Sequence, residues 1–348
     1  QYRNRPVQRN PNRDFQLMSR VLEFEGNRHE FDKPMRIISE YDVPEDAWFF
    51  QQNSHPEWMP YSVLMEIALQ PCGFISANSG AMLIYPELDL HYRNLDGNGT
   101  LSKHIDLRGK TIQAEVELYS TVASGNTVIQ KHRFLLKCEG LPFYKGDTVF
   151  GYFTDEALEN QTGLDGGKAK LPWLDENTNH DMKVYRLNDS NSRLESGKPH
   201  LKLAGNQLNL LDEVHLSPSV GSHGKGYAYG KRIVDPKDWF FPCHFHQDPV
   251  MPGSLGVEAI LQALQVFCLD QKLGDSFSNP RFRPSLSQTR WKYRGQIIPT
   301  TGMMQLELHV SKIEKQDEQL MLVADASLWR DELRIYEVQN ISLVIEEA

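Results

Sequence analysis

Two stretches of this chain, separated by 191 to 192 positions, repeat each other, and that repeat most constrains what the chain can become. Pro44-Glu45-Asp46-Ala47-Trp48-Phe49-Phe50 is answered by Pro236-Lys237-Asp238-Trp239-Phe240-Phe241. Met59-Pro60 is answered by Met251-Pro252, Glu66-x-x-x-Gln70 by Glu258-x-x-x-Gln262, and Arg108-Gly109 by Arg294-Gly295. Both glutamates fall six positions after their proline. A repeat of this kind means two copies of one structural unit. Each copy centres on a helix. The pattern predicts one over 254–269, apolar nearly all round (Leu255, Val257, Ala259, Ile260, Leu261, Ala263, Leu264, Val266, Phe267, Leu269), and such a helix is buried. The first copy predicts a partner over 61–75, with Pro71 expected to kink it or end its first segment.

Glu258 and Gln262 therefore stand one turn apart inside a core. Burying a lone carboxylate costs several kcal/mol, so such a group is paired, neutralised or functional; the plainer reading is a helix-edge residue reaching solvent. Pro252 stands where a helix can begin, and Gly253 allows close backbone approach. The unpaired N–H groups and positive dipole end there suit a carbonyl oxygen that gains negative charge. His244 beside Phe245 has a plain reading as a core residue. His244-x-His246-x-Asp248 is also spaced like a metal-ligand run, but position 249 is Pro where a third histidine would stand, so no metal is expected. Asp248-Pro249 reads as a turn starter and Cys243 as a packed thiol.

Cys243-His244-Phe245, Asp248-Pro249-Val250-Met251-Pro252-Gly253, Leu255-Gly256 and an acid at 258 resemble the signature of the β-hydroxyacyl-(acyl carrier protein) dehydratase/isomerase family. The resemblance runs on through Tyr293-Arg294-Gly295-Gln296-Ile297-Ile298-Pro299-Thr300, over more than a hundred positions in order. That family carries Asp at the place of Glu258, and related dehydratases carry Glu. Asn53-Ser54-His55-Pro56, Met59-Pro60-Tyr61-Ser62 and the long connector look most like the dehydratase region of a bacterial polyunsaturated fatty acid synthase. The resemblance implies an α+β fold: two fused hotdog units, each an antiparallel sheet wrapped around a central helix, forming a pseudo-dimer. It also implies that each active site takes a histidine from one unit and an acid from the other. By position, His244 is then the base of one site and Glu66, not Glu258, the acid facing it. Gly253 becomes the oxyanion donor, and Gln70 and Gln262 orient the acids or the departing water.

The other site would pair Glu258 with a first-unit histidine, and there the sequence departs from the pattern. Counting back from Met59-Pro60 puts Gln52 in the histidine column; counting forward from Trp48 puts Asn53 there. Neither is a base. His55 stands nearby and is a substitute from a shifted position; the alternative is a dead or structural second site. The implied reaction removes water from a β-hydroxyacyl thioester to give a trans-2-enoyl thioester, with isomerisation to cis-3 left open. No cofactor is implied beyond the phosphopantetheine arm of acyl carrier protein. Arg281, Arg283, Arg290, Lys292 and Arg294, with no acid among residues 279–301, are a candidate docking surface for that acidic partner; the alternative is guard charges on a strand edge. Neighbouring synthase domains and a homodimer of fused pairs are further expected partners. Two rival readings stay open: an acyl thioesterase on the same fold, which needs a water-activating carboxylate and no His244-type base, and a silent acyl-binding scaffold.

The organisation follows. Residues 1–13 read as an incoming linker, 14–155 as the first unit, 156–205 as a polar connector with some local structure, and 206–348 as the second unit. Strands are expected within 15–43, at 82–85, 112–118, 127–138 and 148–153, and finally at 303–310, 319–329 and 333–345. The piece 93–100, with Asp96-Gly97-Asn98-Gly99, reads as a turn or loop. A formal net charge of −9 argues against nucleic acid. The longest apolar stretch is too short and too interrupted to cross a bilayer. With no signal-peptide pattern and four cysteines lacking metal or CxxC spacing, a cytosolic setting with reduced thiols is the default, and the Gln at position 1 suggests a piece of a longer protein.

Overall fold

The computed structural model describes residues 7–177, 179–188, 194, 197–316 and 318–348. Residues 1–6 of the expected linker, and 178, 189–193 and 195–196 of the expected connector, lie outside the described residues. In chain order come β1 (Arg20–Glu25), β2 (Met35–Asp42), α1 (Trp48–Gln52), α2 (Tyr61–Ser79), β3 (His91–Leu101), β4 (Thr111–Ser124), β5 (Thr127–Cys138) and β6 (Leu141–Phe153). Next are α3 (Asp155–Glu159), α4 (Trp173–Glu176) and β7 (Lys183–Arg186). Then follow β8 (Glu213–Ser217), β9 (Tyr227–Ile233), α5 (Gly253–Asp270), β10 (Pro280–Pro284), β11 (Gln288–Tyr293), β12 (Met303–Gln316), β13 (Gln319–Arg330) and β14 (Leu333–Glu347).

All of these strands join one antiparallel sheet in the order β1-β2-β4-β5-β6-β3-β11-β14-β13-β12-β9-β8-β7, with β10 alongside β14. The first half of that order wraps α2, which packs on β2, β4 and β5; the second wraps α5, which packs on β8, β9, β12, β13 and β14. This is the double hotdog. Alternating burial along β5 shows one face turned to the helix and one outward. Every residue of α5 from Ser254 to Leu269 is buried. Pro71 does not end α2, which continues to Ser79. A proline inside a helix costs about 3 kcal/mol. Leu64, Met65, Ile67, Ala68, Cys72 and Ile75 are all buried around it, and large apolar side chains contribute about 1.5–3 kcal/mol each, so packing wins.

The two units meet partly through repeat partners, and their central helices touch. The repeat partners Trp48 and Trp239 touch with ring centroids 5.1 Å apart. Each indole donates to a backbone carbonyl at 3.0 Å, Trp48 to Asp14 and Trp239 to Gln207. The sheet is made continuous by β3 pairing β11, Asp96 opposite Lys292 through Thr100 opposite Gln288.

That junction corrects one expectation. Residues 93–100 are strand, not turn. The glycines serve close approach instead: a Cβ on Gly97 would lie 2.2 Å from the Trp291 ring, and one on Gly99 2.0 Å from the Tyr144 hydroxyl. Residues 82–85 are likewise no strand; a 3-10 turn (Ala81–Leu83) follows the left-handed Gly80 that ends α2. The end of the leading stretch packs on the fold. Gln8 donates to the Gly73 carbonyl (3.0 Å), the Asn12 N–H to Cys243 O (3.0 Å), and Pro11 is buried. The connector is strapped to the second unit. Trp173 N donates to Glu307 of β12 (2.6 Å), Trp329 of β13 to Lys170 O (2.7 Å), and Arg334 of β14 pairs with Asp165 (2.7 Å).

Candidate active site

His244 lies on the irregular run between β9 and α5. Its backbone N–H donates to Phe240 O (2.9 Å) and its carbonyl accepts from Val250 N (2.8 Å), so the loop closes on itself. The ring Nδ1 is 2.8 Å from the Val250 carbonyl. A carbonyl only accepts, so Nδ1 carries the proton and Nε2 is left with the basic lone pair. The ring is buried, which pushes its pKa down to about 4, against the opposing pull of the Val250 carbonyl. It is neutral at pH 7.

Glu66 comes from the other unit, on buried α2, and is only 5% exposed. Its Oε1 accepts from the Ser254 hydroxyl (2.7 Å), so it reaches across to the first turn of α5. Its Oε2 accepts from Gln70 Nε2 (3.3 Å). Gln70 also donates to Phe15 O and accepts from Leu17 N, both at 2.9 Å, and is thereby fixed. Burial pushes the Glu66 pKa up to about 6, more than Ser254 and Gln70 pull it down.

The start of α5 completes the arrangement. Pro252 supplies no capping side chain, so the N–H groups of its first positions have no intrahelical acceptor. Gly253 is needed because a Cβ there would lie 2.6 Å from the Tyr293 ring. His244, Glu66, Gln70, Gly253 and Ser254 all line one cavity of about 410 Å³. Leu69, Phe150, Phe153, Leu158 and Met251 give it apolar wall, and Gln8 to Pro11 with Gln161 to Gly163 form further wall. A neutral imidazole, a buried carboxyl that protonates near pH 6 and helix-start donors around one cavity suit proton transfer at carbon with stabilisation of an oxyanion.

The pseudo-equivalent place holds different groups. Glu258 Oε2 accepts from Ser62 N (2.9 Å), and burial raises its pKa. The cavity beside it is about 40 Å³ and is lined by Asn53, Trp58 and Tyr61 among others. Asn53 occupies the histidine column, and its amide donates to Trp58 O (2.6 Å) as His244 does to Val250 O. Gln52 points away, to Gln207. His55 does not line that cavity. Its Nδ1 accepts from Glu57 N (3.3 Å), its ring faces His200, and burial lowers its pKa. The two residues from Asn53 to His55 carry it past the position a base would need. Gln262 mirrors Gln70, accepting from Leu210 N (2.9 Å).

The basic run does not form one free surface. Arg281 pairs with Glu57 (3.0 Å) and Glu346 (3.1 Å), Arg283 is buried against Glu346 and His104, and Arg294 pairs with Asp96 (2.9 Å). Arg290 and Lys292 are exposed. Of the metal-like run, Asp248 is turned to Arg93 and His91, and among the described residues no three His, Cys, Asp or Glu are grouped to hold a metal. No helix among the described residues is long and apolar enough to cross a membrane. Ser254 and Arg93 are among the cavity residues that were not anticipated. Ser254 was visible in the repeat, opposite Ser62; Arg93 has no local signal.

Residues 203–339 match the FabA-like domain family. Over 320 residues the chain is 37% identical to a polyunsaturated fatty acid synthase polypeptide of Thraustochytrium sp., covering 89% of this chain and 21% of that relative, about a fifth of its length. Among solved structures it is similar to GphF dehydratase 1 (TM-score 0.50, 12% identity, 95% of this chain and 98% of that one). It is also similar to a CurK dehydratase variant (TM-score 0.50, 11% identity, 95% and 99%). At such identity these two carry the fold alone, the same double hotdog. Residues 203–339 therefore form a FabA-like domain, and most of the chain resembles one stretch of the synthase polypeptide.

Proposed function

We propose that this chain removes water from β-hydroxyacyl thioesters to give trans-2-enoyl thioesters, as a lyase unit of a multidomain synthase of polyunsaturated fatty acids or polyketides. The observation that carries the reading is the meeting of His244 and Glu66, from opposite units, in one cavity beside the start of α5. His244 Nε2 takes the proton from the carbon next to the thioester carbonyl. The Gly253 N–H at the helix start stabilises the enolate-like oxygen. Glu66, held partly protonated by burial, gives its proton to the departing β-hydroxyl, and water leaves. The imidazolium then returns a proton to the carboxylate. Gln70 holds that carboxylate in place, and the apolar cavity wall takes the acyl chain.

The substrate arrives on the phosphopantetheine arm of acyl carrier protein, in a cytosolic setting beside other synthase domains. Arg290 and Lys292 are the exposed docking candidates. The unit boundaries fall near residues 155 and 206, with the strapped connector between. A second proton shuttle at His244 is the route by which a cis-3 product would form. The test is incubation with a β-hydroxyacyl pantetheine thioester, following enoyl product and free thiol together. Enoyl product without thiol is expected. Thiol release alone would make the chain a thioesterase, and neither product would make it a silent acyl-binding module.

A further inference from the structure

The His244 loop is held from outside by one cation. Arg93, on β3 of the first unit, donates to both Asp248 oxygens, at 2.6 and 2.7 Å. The same guanidinium donates to Gln296 Oε1 at 2.6 Å and to Tyr92 O at 2.9 Å. Its side chain is 10% exposed and lines the cavity that holds His244. A bidentate, nearly buried pair of this kind sets geometry as well as charge. His91, two residues earlier on β3, places Nδ1 3.0 Å from Asp248. Its Nε2 lies 2.8 Å from Asp155 at the start of α3, out of line for a hydrogen bond.

We infer that Arg93 is a positioning residue: from the first unit it clamps Asp248 and Gln296 of the second, fixing the His244 loop and cancelling the carboxylate charge that stands near the imidazole. This rests on the dehydratase reading for its consequence in turnover, but not for the clamp itself. The charges acting on the ring are consistent with it. Burial lowers the His244 pKa most; Arg93 lowers it further and Asp248 raises it. The other charged groups around the cavity are Glu66 from α2, Arg9 from the leading segment, and Arg294 after β11, which is paired to Asp96. Asp248 is held well below the usual carboxylate range by Arg93 and His91 despite its burial, so it is an anion at working pH.

The test is titration of the His244 ring by NMR, assigned against His244→Asn, in parent, Arg93→Gln, Arg93→Lys and Asp248→Asn. The parent ring is expected to titrate at about 4. Arg93→Gln is expected to raise this by about one pH unit, because Asp248 is left near the ring with only His91 as partner. Asp248→Asn is expected to move it the other way, and Arg93→Lys to stay near the parent. The acid limb of kcat/KM follows the same shifts. A ring titration unmoved in both Arg93→Gln and Asp248→Asn, or an equal loss of rate at every pH, would overturn the inference and leave Arg93 as packing. If Arg93→Gln does not fold, Asp248→Asn and Arg93→Lys decide alone. Ring shifts as stated in a parent that forms no enoyl product would keep the clamp and remove the dehydratase reading.

Discussion

The two pseudo-equivalent places in this molecule each keep a buried glutamate and differ in the base and in the room beside it. At one, the His244 ring donates to Val250 O; at the other, the Asn53 amide donates to Trp58 O. Each bond ties the side chain to a carbonyl further along its own loop, but an amide nitrogen takes no proton at neutral pH. Where the second unit has Gly253, the first has Tyr61, whose buried ring and hydroxyl, 3.3 Å from Tyr144 Oη, fill the space. The cavities are about 410 and 40 Å³. Glu66 takes the Ser254 hydroxyl, while Glu258 takes the backbone N–H of Ser62, the repeat partner of Ser254. A buried donor left without its acceptor costs about 1–3 kcal/mol. Glu258 is therefore worth keeping for folding alone, and a buried acid by itself does not mark an active site.

The largest effect that tests this contrast is on turnover. His244→Asn and Glu66→Gln should each lower kcat for dehydration by about a thousandfold, whereas Glu258→Gln should stay within about threefold of the parent. Strong loss in Glu258→Gln with little in Glu66→Gln would reverse the pairing. Next, Gly253→Ala should cost about a hundredfold in kcat/KM, because its methyl meets the Tyr293 ring beside the oxyanion donor. The opposite change, Tyr61→Gly, should leave the rate near the parent and lower stability by about 3 kcal/mol, read from the urea midpoint.

The pH profile sharpens the assignment. His244 works when neutral and Glu66 when protonated, so kcat/KM should rise through about pH 4 and fall through about pH 6. The same two limbs should persist in Glu258→Gln; a limb that disappears there would place Glu258 in the reaction. The smallest effect separates two glutamines with parallel jobs. Gln70→Ala and Gln262→Ala should each lower stability by about 1–2 kcal/mol, because each leaves a backbone N–H unpaired, at Leu17 and Leu210. Only Gln70→Ala should also slow dehydration, since Gln70 alone touches the carboxyl facing His244.

The family resemblance implied the crossing of His244 with Glu66; the sequence by itself determined the two buried helices and most of the strands. These follow from repeat spacing and from apolar periodicity, which report local backbone geometry and burial directly. Only the tertiary structure decided the rest. Gly97 and Gly99 read as a turn because their sequence neighbours are polar, yet each faces an aromatic ring brought in by a distant strand. Packing around Pro71 overrode its local preference. The counting that left Gln52 and Asn53 open was settled by which side chain the loop turns inward, and His55 was carried elsewhere. The basic run looked free because its acids, Glu57, Asp96 and Glu346, are far away in the chain. Arg93 meets Asp248 across 155 positions and Glu66 meets Ser254 across 188. No local pattern encodes a contact at that separation; it exists only once both units have folded and docked.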